Sequence, residues 1–398
     1  MLMSDKWKDA DQGEIQLEDT QCEAVFGQFL EYLYTGKVHI TTDKAVPLLI
    51  LADKYNVPEL KESCGAFMMR HLVTSPGNNH VLSWYQYAKT CGHHDLQESC
   101  NQFIEWNIDT IIGSPDWEMM DRDQLMSLLR SSDIVVKSEY SLYCALELWL
   151  THASRAEYLE ENLQDLLPLI RFPVMTPQQL INLEGHSLVQ DHPNIFEKHF
   201  KRAFRFHAVP VDLRSEEHFS RSRVYEFRNY TGADHKIAAS IIIQNYSSTS
   251  GNLNRVRHKQ SLHTVISGSN ADSHDTLHWE MTFYPKGFYR TADGFVVERN
   301  NAVRFLITLQ NGKPIDMDII HVVYSHQNKV TFVKDILYHS HSFSSNNVFQ
   351  IENLLPFDDL RSQNSPYLIE NSLKIQVILK PKIMVKNDGI QNSVENSL

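Results

Sequence analysis

The sequence is short of glycine and of long apolar runs, and each shortage excludes a class of protein. Glycine makes up 15 of the 398 residues, or about 4%, against roughly 7% in an average protein. Loops that cradle phosphates use glycine, so this scarcity disfavours a nucleotide-binding fold. The longest apolar cluster, residues 45–52, is much shorter than the ~20 residues that a membrane-spanning helix needs. We therefore expect no membrane insertion.

The sequence also lacks a surplus of positive charge. Its 37 Lys and Arg residues are outnumbered by 49 Asp and Glu residues, which gives a formal net charge of −12. This balance argues against non-specific binding to nucleic acid or to an anionic membrane surface. We expect neither as a partner.

Cysteine is scarce, with five residues in the whole chain. All five lie in apolar helical patterns, which favours free, buried thiols: Cys22, Cys64, Cys91, Cys100 and Cys144. A disulfide such as one between Cys91 and Cys100 is the alternative.

Motifs that carry catalysis or bind cofactors are absent from the sequence. It contains no G-x-x-x-x-G-K-[ST], no G-x-G-x-x-G after a strand, no G-x-S-x-G and no H-E-x-x-H. A Ser/His/Asp triad with distant partners stays open, but nothing nominates one. We predict a protein with no catalytic residue and no cofactor.

Two groups of side chains could suggest a metal ion: Cys91, His93, His94 and Cys100, and the pair His339 and His341. Zinc needs four ligands on a tetrahedron. His93 and His94 are adjacent and point apart, so we interpret the first group as a helix corner. The second group has two imidazoles on one strand face, which we interpret as a solvated pair. We predict no metal site.

An amphipathic helix is predicted near the amino-terminal end. One face collects Cys22, Val25, Phe26, Phe29, Leu30 and Leu33. Gly36 stands where a left-handed residue ends a helix. Residues 38–40 alternate and predict a short strand, after which Thr42 or Asp43 caps a second helix.

Start signals for helices recur from Pro58 to about residue 205. Pro58 and Pro177 stand at first turns, where proline is favoured, and Thr176 is placed to cap the second of these helices. Ser138 opens the clearest helix, whose apolar residues recur at helical spacing: Leu142, Ala145, Leu146, Trp149 and Leu150.

The apolar period changes to two residues from Ile237 onward. Alternating segments are separated by turn residues, which predicts an antiparallel β-sandwich. Trp279, Met281 and Phe283 share one strand face, which we assign to the core. No repeat of about 20–50 residues is present, which excludes a propeller.

Three parts of the chain resemble known modules. Residues 22–72 resemble the C-terminal half of a BTB/POZ domain. Segments 128–133 (LLRSSD), 145–149 (ALELW) and 169–173 (LIRFP) are similar to the BACK domain. Segments 279–287 and 358–379 resemble a TRAF-like (MATH) sandwich. The chain thus resembles a BTB-BACK protein with a C-terminal TRAF-like domain.

The resemblance implies a multidomain α+β fold. The expected parts are a partial BTB domain of helices and short strands (1–73), an all-α BACK helical array (75–205), a linker (206–236), a TRAF-like antiparallel β-sandwich (237–385) and a disordered tail (386–398).

The resemblance implies a non-enzymatic scaffold that binds other proteins, related to secreted galectin-3-binding-like glycoproteins. The alternative is an intracellular cullin-3 ubiquitin-ligase adaptor whose TRAF-like domain selects substrates. TRAF-like domains bind extended peptides, and exposed aromatic residues beside arginine make binding anchors. Tyr284, Tyr289 and Arg290 are the candidates for such a surface.

Two Asn-x-Ser/Thr triplets begin at Asn229 and Asn245. They are candidate N-glycosylation sites if the chain enters the secretory pathway. A signal peptide upstream of Met1 would make the protein secreted, and without one we expect it in the cytoplasm.

Self-association of BTB domains involves elements that, by resemblance, precede Met1, which we interpret as an internal methionine. We therefore expect weak dimerisation of this chain. We also expect the inner helical faces, for example Phe26 and Phe29, to be exposed.

Overall fold

The computed structural model of the chain describes residues 22–73, 80–209, 219, 222–233, 236–248, 258–265, 276–285, 289–290, 296–298, 303–311, 314–345, 347–362 and 365–382. The chain divides into two compact units, residues 1–104 and 105–398. The predicted tail lies outside the described residues.

The first unit is helical where it is described. Its helices are α1 (Glu23–Thr35), α2 (Ala45–Lys54), α3 (Pro58–Arg70), α4 (Val81–Cys91) and α5 (His94–Trp106). The boundary between the two units lies near the end of α5. As predicted, Gly36 ends α1 in the left-handed region, with φ 66°, and its N–H donates to the Tyr32 carbonyl at 2.7 Å. Pro58 opens α3 at its first turn.

Two local predictions in this unit are wrong. Residues 38–40 form no strand, because no segment among the described residues pairs with them. Helix α2 follows Lys44 and has no side-chain cap. The Asp43 carboxylate, one of the two predicted caps, instead accepts from the Thr41 hydroxyl at 2.6 Å.

The prediction that Phe26 and Phe29 are exposed is wrong for Phe29. Its side chain is fully buried, and its ring lies 5.4 Å from the ring of Tyr55 on α2. Phe26 is half-buried beside both rings. Helices α1 and α2 therefore cover each other's apolar faces.

The second unit begins with a helical part. Its helices are α6 (Ile108–Ile112), α7 (Pro115–Met119), α8 (Arg122–Arg130), α9 (Glu139–Leu150), α10 (Leu159–Leu166), α11 (Pro177–Glu184), α12 (Ser187–Asp191) and α13 (Pro193–Ala208). Ser138 and Thr176 cap α9 and α11, as predicted, each through a capping box. The apolar face predicted for α9 is buried along its whole length.

The strands of this unit are β1 (Val135–Val136), β2 (Asn229–Tyr230), β3 (Ala238–Ile243), β4 (His258–Val265), β5 (Thr276–Tyr284), β6 (Tyr289–Arg290), β7 (Val296–Glu298), β8 (Arg304–Asn311), β9 (Ile315–Gln327), β10 (Val330–Phe343), β11 (Val348–Ile351), β12 (Leu368–Ile369) and β13 (Ser372–Pro381). A short helix, α14 (Phe357–Arg361), precedes β12.

Most of these strands form the predicted antiparallel sandwich. The larger sheet has the order β10-β9-β13-β12, with β3 also paired to β13, and the smaller sheet has the order β11-β8-β5-β4. Trp279, Met281 and Phe283 of the smaller sheet share one core with residues of the larger sheet such as Val323 and Val377. The inward assignment of this strand face is confirmed.

Residues 206–236, which we predicted as a linker, contain regular structure in their described parts. Helix α13 continues to Ala208, and residues 223–225 form a turn of 3₁₀-helix. Strand β2 pairs in parallel with β1 of the helical part, in the register Val135↔Asn229. A segment without a long apolar pattern is thus fixed by backbone pairing to an element about 95 positions earlier in the chain.

Candidate interaction surfaces

The outward side of the smaller sheet carries the first predicted surface residue, Tyr284. It is half-buried, and it lies directly opposite Arg304 of β8. Arg304 was missed by the sequence reasoning, because cross-strand partners depend on strand register. The structure therefore gives Tyr284 a basic neighbour other than the one predicted.

Tyr289 and Arg290 lie on a different sheet from Tyr284. They form β6, which pairs with β7 in a separate two-stranded ribbon. Their side chains lie outside the part of the chain that the structure describes. Their role in a peptide-binding surface stays a prediction.

The outward side of the smaller sheet continues from Tyr284 toward its edge strand β11. Two rows of directly paired residues cross it. One row is Glu280, Thr308 and Val348, and the other is Thr282, Leu306 and Gln350. We call these two rows, together with Tyr284, the outer sheet face. Val348 is 50% exposed at the edge. This face combines apolar, hydroxyl, amide and carboxylate groups at strand spacing.

The outward side of the larger sheet is buried on its central strands β9 and β13, and it is exposed on the outer strands β3 and β10, at Ile242 and Tyr338. Ile320, Val322 and Ile378 are fully buried although they do not belong to the sandwich core. The side-chain amide of Asn107 accepts from the N–H of Val333 on β10 at 2.6 Å and donates to its carbonyl at 3.3 Å. The helical part of the unit thus covers the centre of the larger sheet and occupies backbone groups of its edge strand.

A buried ion pair fixes the segment that leads into the sandwich. Arg228 Nε donates to Glu139 at 3.0 Å, and both side chains are fully buried. The Arg228 guanidinium also donates to the carbonyls of Leu129 at 2.8 Å and Leu169 at 2.9 Å, and to that of Ser131. The donors of the buried arginine are therefore satisfied.

The Glu139 carboxylate stays charged in this setting. Burial alone would raise its pKa, but Arg228, the Tyr230 hydroxyl and the backbone N–H of Arg171 together hold the pKa below its ordinary value. The Arg171 N–H donates to Glu139 at 2.7 Å. The arrangement joins α9, the turn after α10 and β2, and it offers no route to solvent for chemistry.

The two predicted glycosylation residues have opposite surroundings. The amide nitrogen of Asn229 is buried and donates to the Asp133 carbonyl at 2.9 Å, while its oxygen accepts from Lys380 Nζ at 2.9 Å. A glycan on that nitrogen has no room in this fold. Asn245 is exposed in a left-handed turn with φ 51°.

The cysteine and histidine group around His93 is held by other partners. Asp53 accepts from Lys61 at 2.7 Å and from Tyr87 at 2.9 Å, and it contacts His93 Nε2 at 2.8 Å. Cys100 is fully buried. The described residues contain no group of three or more His, Cys, Asp or Glu side chains that could hold a metal ion.

All five cysteines are free. Burial raises the pKa of both the Cys64 and the Cys100 thiol to about 12, with Asp53 adding to the effect at Cys64. Cys22 is also buried, whereas Cys144 is half-buried and Cys91 is exposed. The expectation of buried thiols is therefore wrong for Cys91, which lies at the end of α4.

His339 and His341 lie where the edges of the two sheets meet. The His341 ring stacks on Phe349 of β11 at 4.6 Å, and the His339 ring lies 5.7 Å from that of His321. His321 is fully buried on the core side of β9, against Phe305 at 4.6 Å. The sequence reasoning missed it, since alternation alone does not place a histidine in an apolar core.

One open groove lies in the first unit. Its volume is about 420 Å³, and it is lined by Val38, Ile40, Glu62, Ser63, Ala66, Phe67 and Arg70.

Within the described residues, no helix is both long and apolar enough to cross a membrane.

Comparison with known proteins gives three domain matches in chain order. Residues 1–72 match the BTB/POZ domain, residues 81–184 match BACK (BTB And C-terminal Kelch), and residues 225–383 match the BTBD17 TRAF domain. The predicted modules are thereby confirmed. The third match begins upstream of Arg228, in agreement with the ordered segment found there.

Two of the relatives resemble nearly the whole chain, and a third resembles about half of it. BTB/POZ domain-containing protein 17 of Xenopus laevis is 30% identical over 396 residues, covering 93% of this chain and 79% of that protein. The Homo sapiens protein of the same name is 28% identical, covering 94% and 77%. Galectin-3-binding protein of Mus musculus is 31% identical over 208 residues, covering 52% of this chain and 36% of that protein.

Proposed function

We propose that this chain, which belongs to the family of BTB/POZ domain-containing protein 17, is a non-catalytic, secreted scaffold that binds an extended peptide on its outer sheet face. The BTB and BACK domains and the similarity to that family support a protein-interaction scaffold or adaptor. The finer assignment rests on one observation, the contrast between the covered larger sheet and the outer face of the smaller one.

The outer sheet face suits a peptide for chemical reasons. Its groups alternate along strands, as do the side chains of an extended ligand. Val348 stands half-exposed on the short edge strand β11, beside Thr308, and can contact an apolar ligand side chain. Tyr284 offers a large amphipathic ring, and tyrosine is among the residues that dominate binding energy in interfaces.

A matched pair of variants tests this surface. Val348 and Ile242 are equally exposed apolar residues, at 50% and 53%, on strands of the two different sheets. A peptide selected from a random phage-displayed library on the full chain should bind Val348→Ser several-fold more weakly and Ile242→Ser unchanged. Equal binding by both variants, or loss only with Ile242→Ser, would place the site elsewhere.

Asn245 supports the secreted assignment. The turn that carries it is anchored by the buried Tyr246, whose hydroxyl donates to the Pro285 carbonyl at 2.8 Å. The Ser247 hydroxyl donates to Asn371 at 2.8 Å and stays exposed. The inert Cys64 and Cys100 thiols are compatible with an oxidising compartment, since the thiolate is the reactive form.

Glycan mapping of the protein from its natural source tests the compartment. We expect a glycan on Asn245, none on Asn229, and loss of the mass shift in Asn245→Gln. Protein without a glycan at Asn245 would contradict secretion through this pathway.

Weak self-association through the BTB region stays a prediction, and light scattering that shows a stable dimer would contradict it.

A cullin-3 adaptor is the second candidate, favoured by the order of a BTB domain followed by a BACK domain. In that case the outer sheet face would hold a substrate instead of an extracellular partner. A pulldown with cullin-3 at micromolar protein separates the two, because binding supports the adaptor and its absence supports the scaffold.

A further inference from the structure

Helix α13 concentrates positive charge on a chain whose net charge is −12. Lys198, Lys201, Arg202 and Arg205 are all exposed on it, and Glu197 is its only carboxylate. Their spacing of i, i+3, i+4 and i+7 places them in one stripe along the helix. We call these four side chains the basic ridge.

Three of the four side chains of the basic ridge have no acidic partner among the described residues. Lys198, Lys201 and Arg202 form no ion pair with a carboxylate in the part of the chain that the structure describes. The buried His199 beneath them experiences this charge. Its pKa is lowered to about 4, chiefly by burial and further by Lys198 and Arg202.

The basic ridge stands on a rigid support. The opposite face of α13 buries Phe196, His199 and Phe200, which surround Phe172 with ring distances of 6.4, 5.0 and 6.0 Å. At a rise of 1.5 Å per residue the ridge extends for about 10 Å. It is therefore a straight, pre-formed row of charge.

The chemistry of the basic ridge selects the kind of partner. None of the large apolar side chains that are exposed in the described residues lies on α13. Interfaces with folded proteins depend on buried aromatic or aliphatic anchors, which the ridge does not offer. A row of charge alone fits a flexible, linear polyanion, and basic clusters of this length are typical of heparin-binding segments.

We propose that the basic ridge binds a sulfated glycosaminoglycan. The biological setting rests on the proposed function, because a secreted protein encounters such polymers outside the cell. The binding itself is a property of the folded chain and can be measured whatever its compartment.

The test uses the full chain and a heparin oligosaccharide in calorimetry at two salt concentrations. Lys198→Gln, Lys201→Gln and Arg202→Gln are combined in one variant. Its matched control removes two lysines and one arginine that are also exposed: Lys89→Gln, Arg130→Gln and Lys334→Gln. Both variants lose three positive charges, so only the location of the loss differs.

The ridge variant should bind roughly tenfold or more weakly, since each exposed ion pair changes affinity by about two- to fivefold. The control should bind within about twofold of the unsubstituted chain, and affinity should fall with added salt. Equal losses in the two variants, or none in the ridge variant, would overturn the assignment to α13.

Three further probes decide the class of partner: unsulfated hyaluronan, polyglutamate and a single-stranded oligonucleotide of matched charge. We expect weaker binding by all three than by heparin. Equal binding by polyglutamate or by the oligonucleotide would overturn the glycosaminoglycan assignment. A chain that is never secreted would refute the proposed function and leave this binding result standing.

Discussion

The two sheets of the sandwich differ in what lies against their outer sides. The larger sheet buries Ile320, Val322 and Ile378 outside the core, and Asn107 holds the edge strand beside them. The smaller sheet turns a mixture of groups outward, from the buried Thr282 to the half-exposed Val348. The helical part therefore covers the centre of the larger sheet, and the outer sheet face is the side that we propose as the binding surface. The predictions below test that distinction.

The largest effect is expected at the buried ion pair on the supported side. Arg228→Ala leaves the Glu139 carboxylate buried and unpaired, which should cost about 3–5 kcal/mol of unfolding free energy. Urea denaturation measures this loss. The control is Lys382→Ala, which removes an exposed pair with Asp318 and should cost at most about 1 kcal/mol. Similar losses in both variants would show that the junction is not a fixed support.

The next prediction compares two apolar residues, one on the outward side of each sheet. Ile378→Ala creates a cavity beneath the helical part and should cost about 2–5 kcal/mol. Val348→Ala removes a half-exposed side chain and should change stability by no more than about 0.5 kcal/mol. Comparable destabilisation in the two variants would contradict the difference between the sheets. The same denaturation assay serves both.

The third effect is a pH dependence that originates inside the sandwich. Neither ring nitrogen of His321 has a hydrogen-bond partner among the described residues. Burial and, secondarily, His339 lower the His321 pKa from 6.5 to about 3. The unfolded chain binds this proton below about pH 6.5 and the folded chain only near pH 3, so stability falls as pH drops through that window.

From pH 7 to pH 5 this histidine should remove about 2 kcal/mol of stability. The titratable group that faces it is His339, and no carboxylate contributes to its shift. His321→Phe should flatten the profile by that amount. A variant with an unchanged slope would show that His321 is protonated in the folded chain. His199, with a pKa lowered to about 4, provides the same comparison in the helical part.

The fourth effect, of a size similar to the third, is expected at the edge of the larger sheet. Asn107→Ala leaves the backbone N–H and carbonyl of Val333 without their partners, at a cost of about 1–3 kcal/mol. Amide exchange at Val333 should accelerate at the same time. Unchanged exchange there would mean that water or a neighbouring strand replaces Asn107.

The sequence predicted those elements whose signal is local. The alternation of Trp279, Met281 and Phe283 placed one strand face in the core, and Ser138 and Thr176 fixed the starts of two helices. Each of these signals depends on a few neighbouring residues. Such patterns survive in the fold because local preference and tertiary packing agree.

The errors occurred where a distant partner decides the outcome. Phe29 is buried by Tyr55 of another helix, and residues 38–40 pair with no segment in the described part of the chain. Arg228 and Glu139 are 89 positions apart, so composition alone suggested a linker. Asn229 matched a glycosylation triplet, yet its amide is used inside the fold.

Hydrogen–deuterium exchange of the full chain, with and without the library-selected peptide, tests the central claim most directly. We expect new protection in β8 and β11 of the smaller sheet, whereas β9 and β13 of the larger sheet should be protected already and should not change. Protection gained in the larger sheet, with none in β8 or β11, would contradict it.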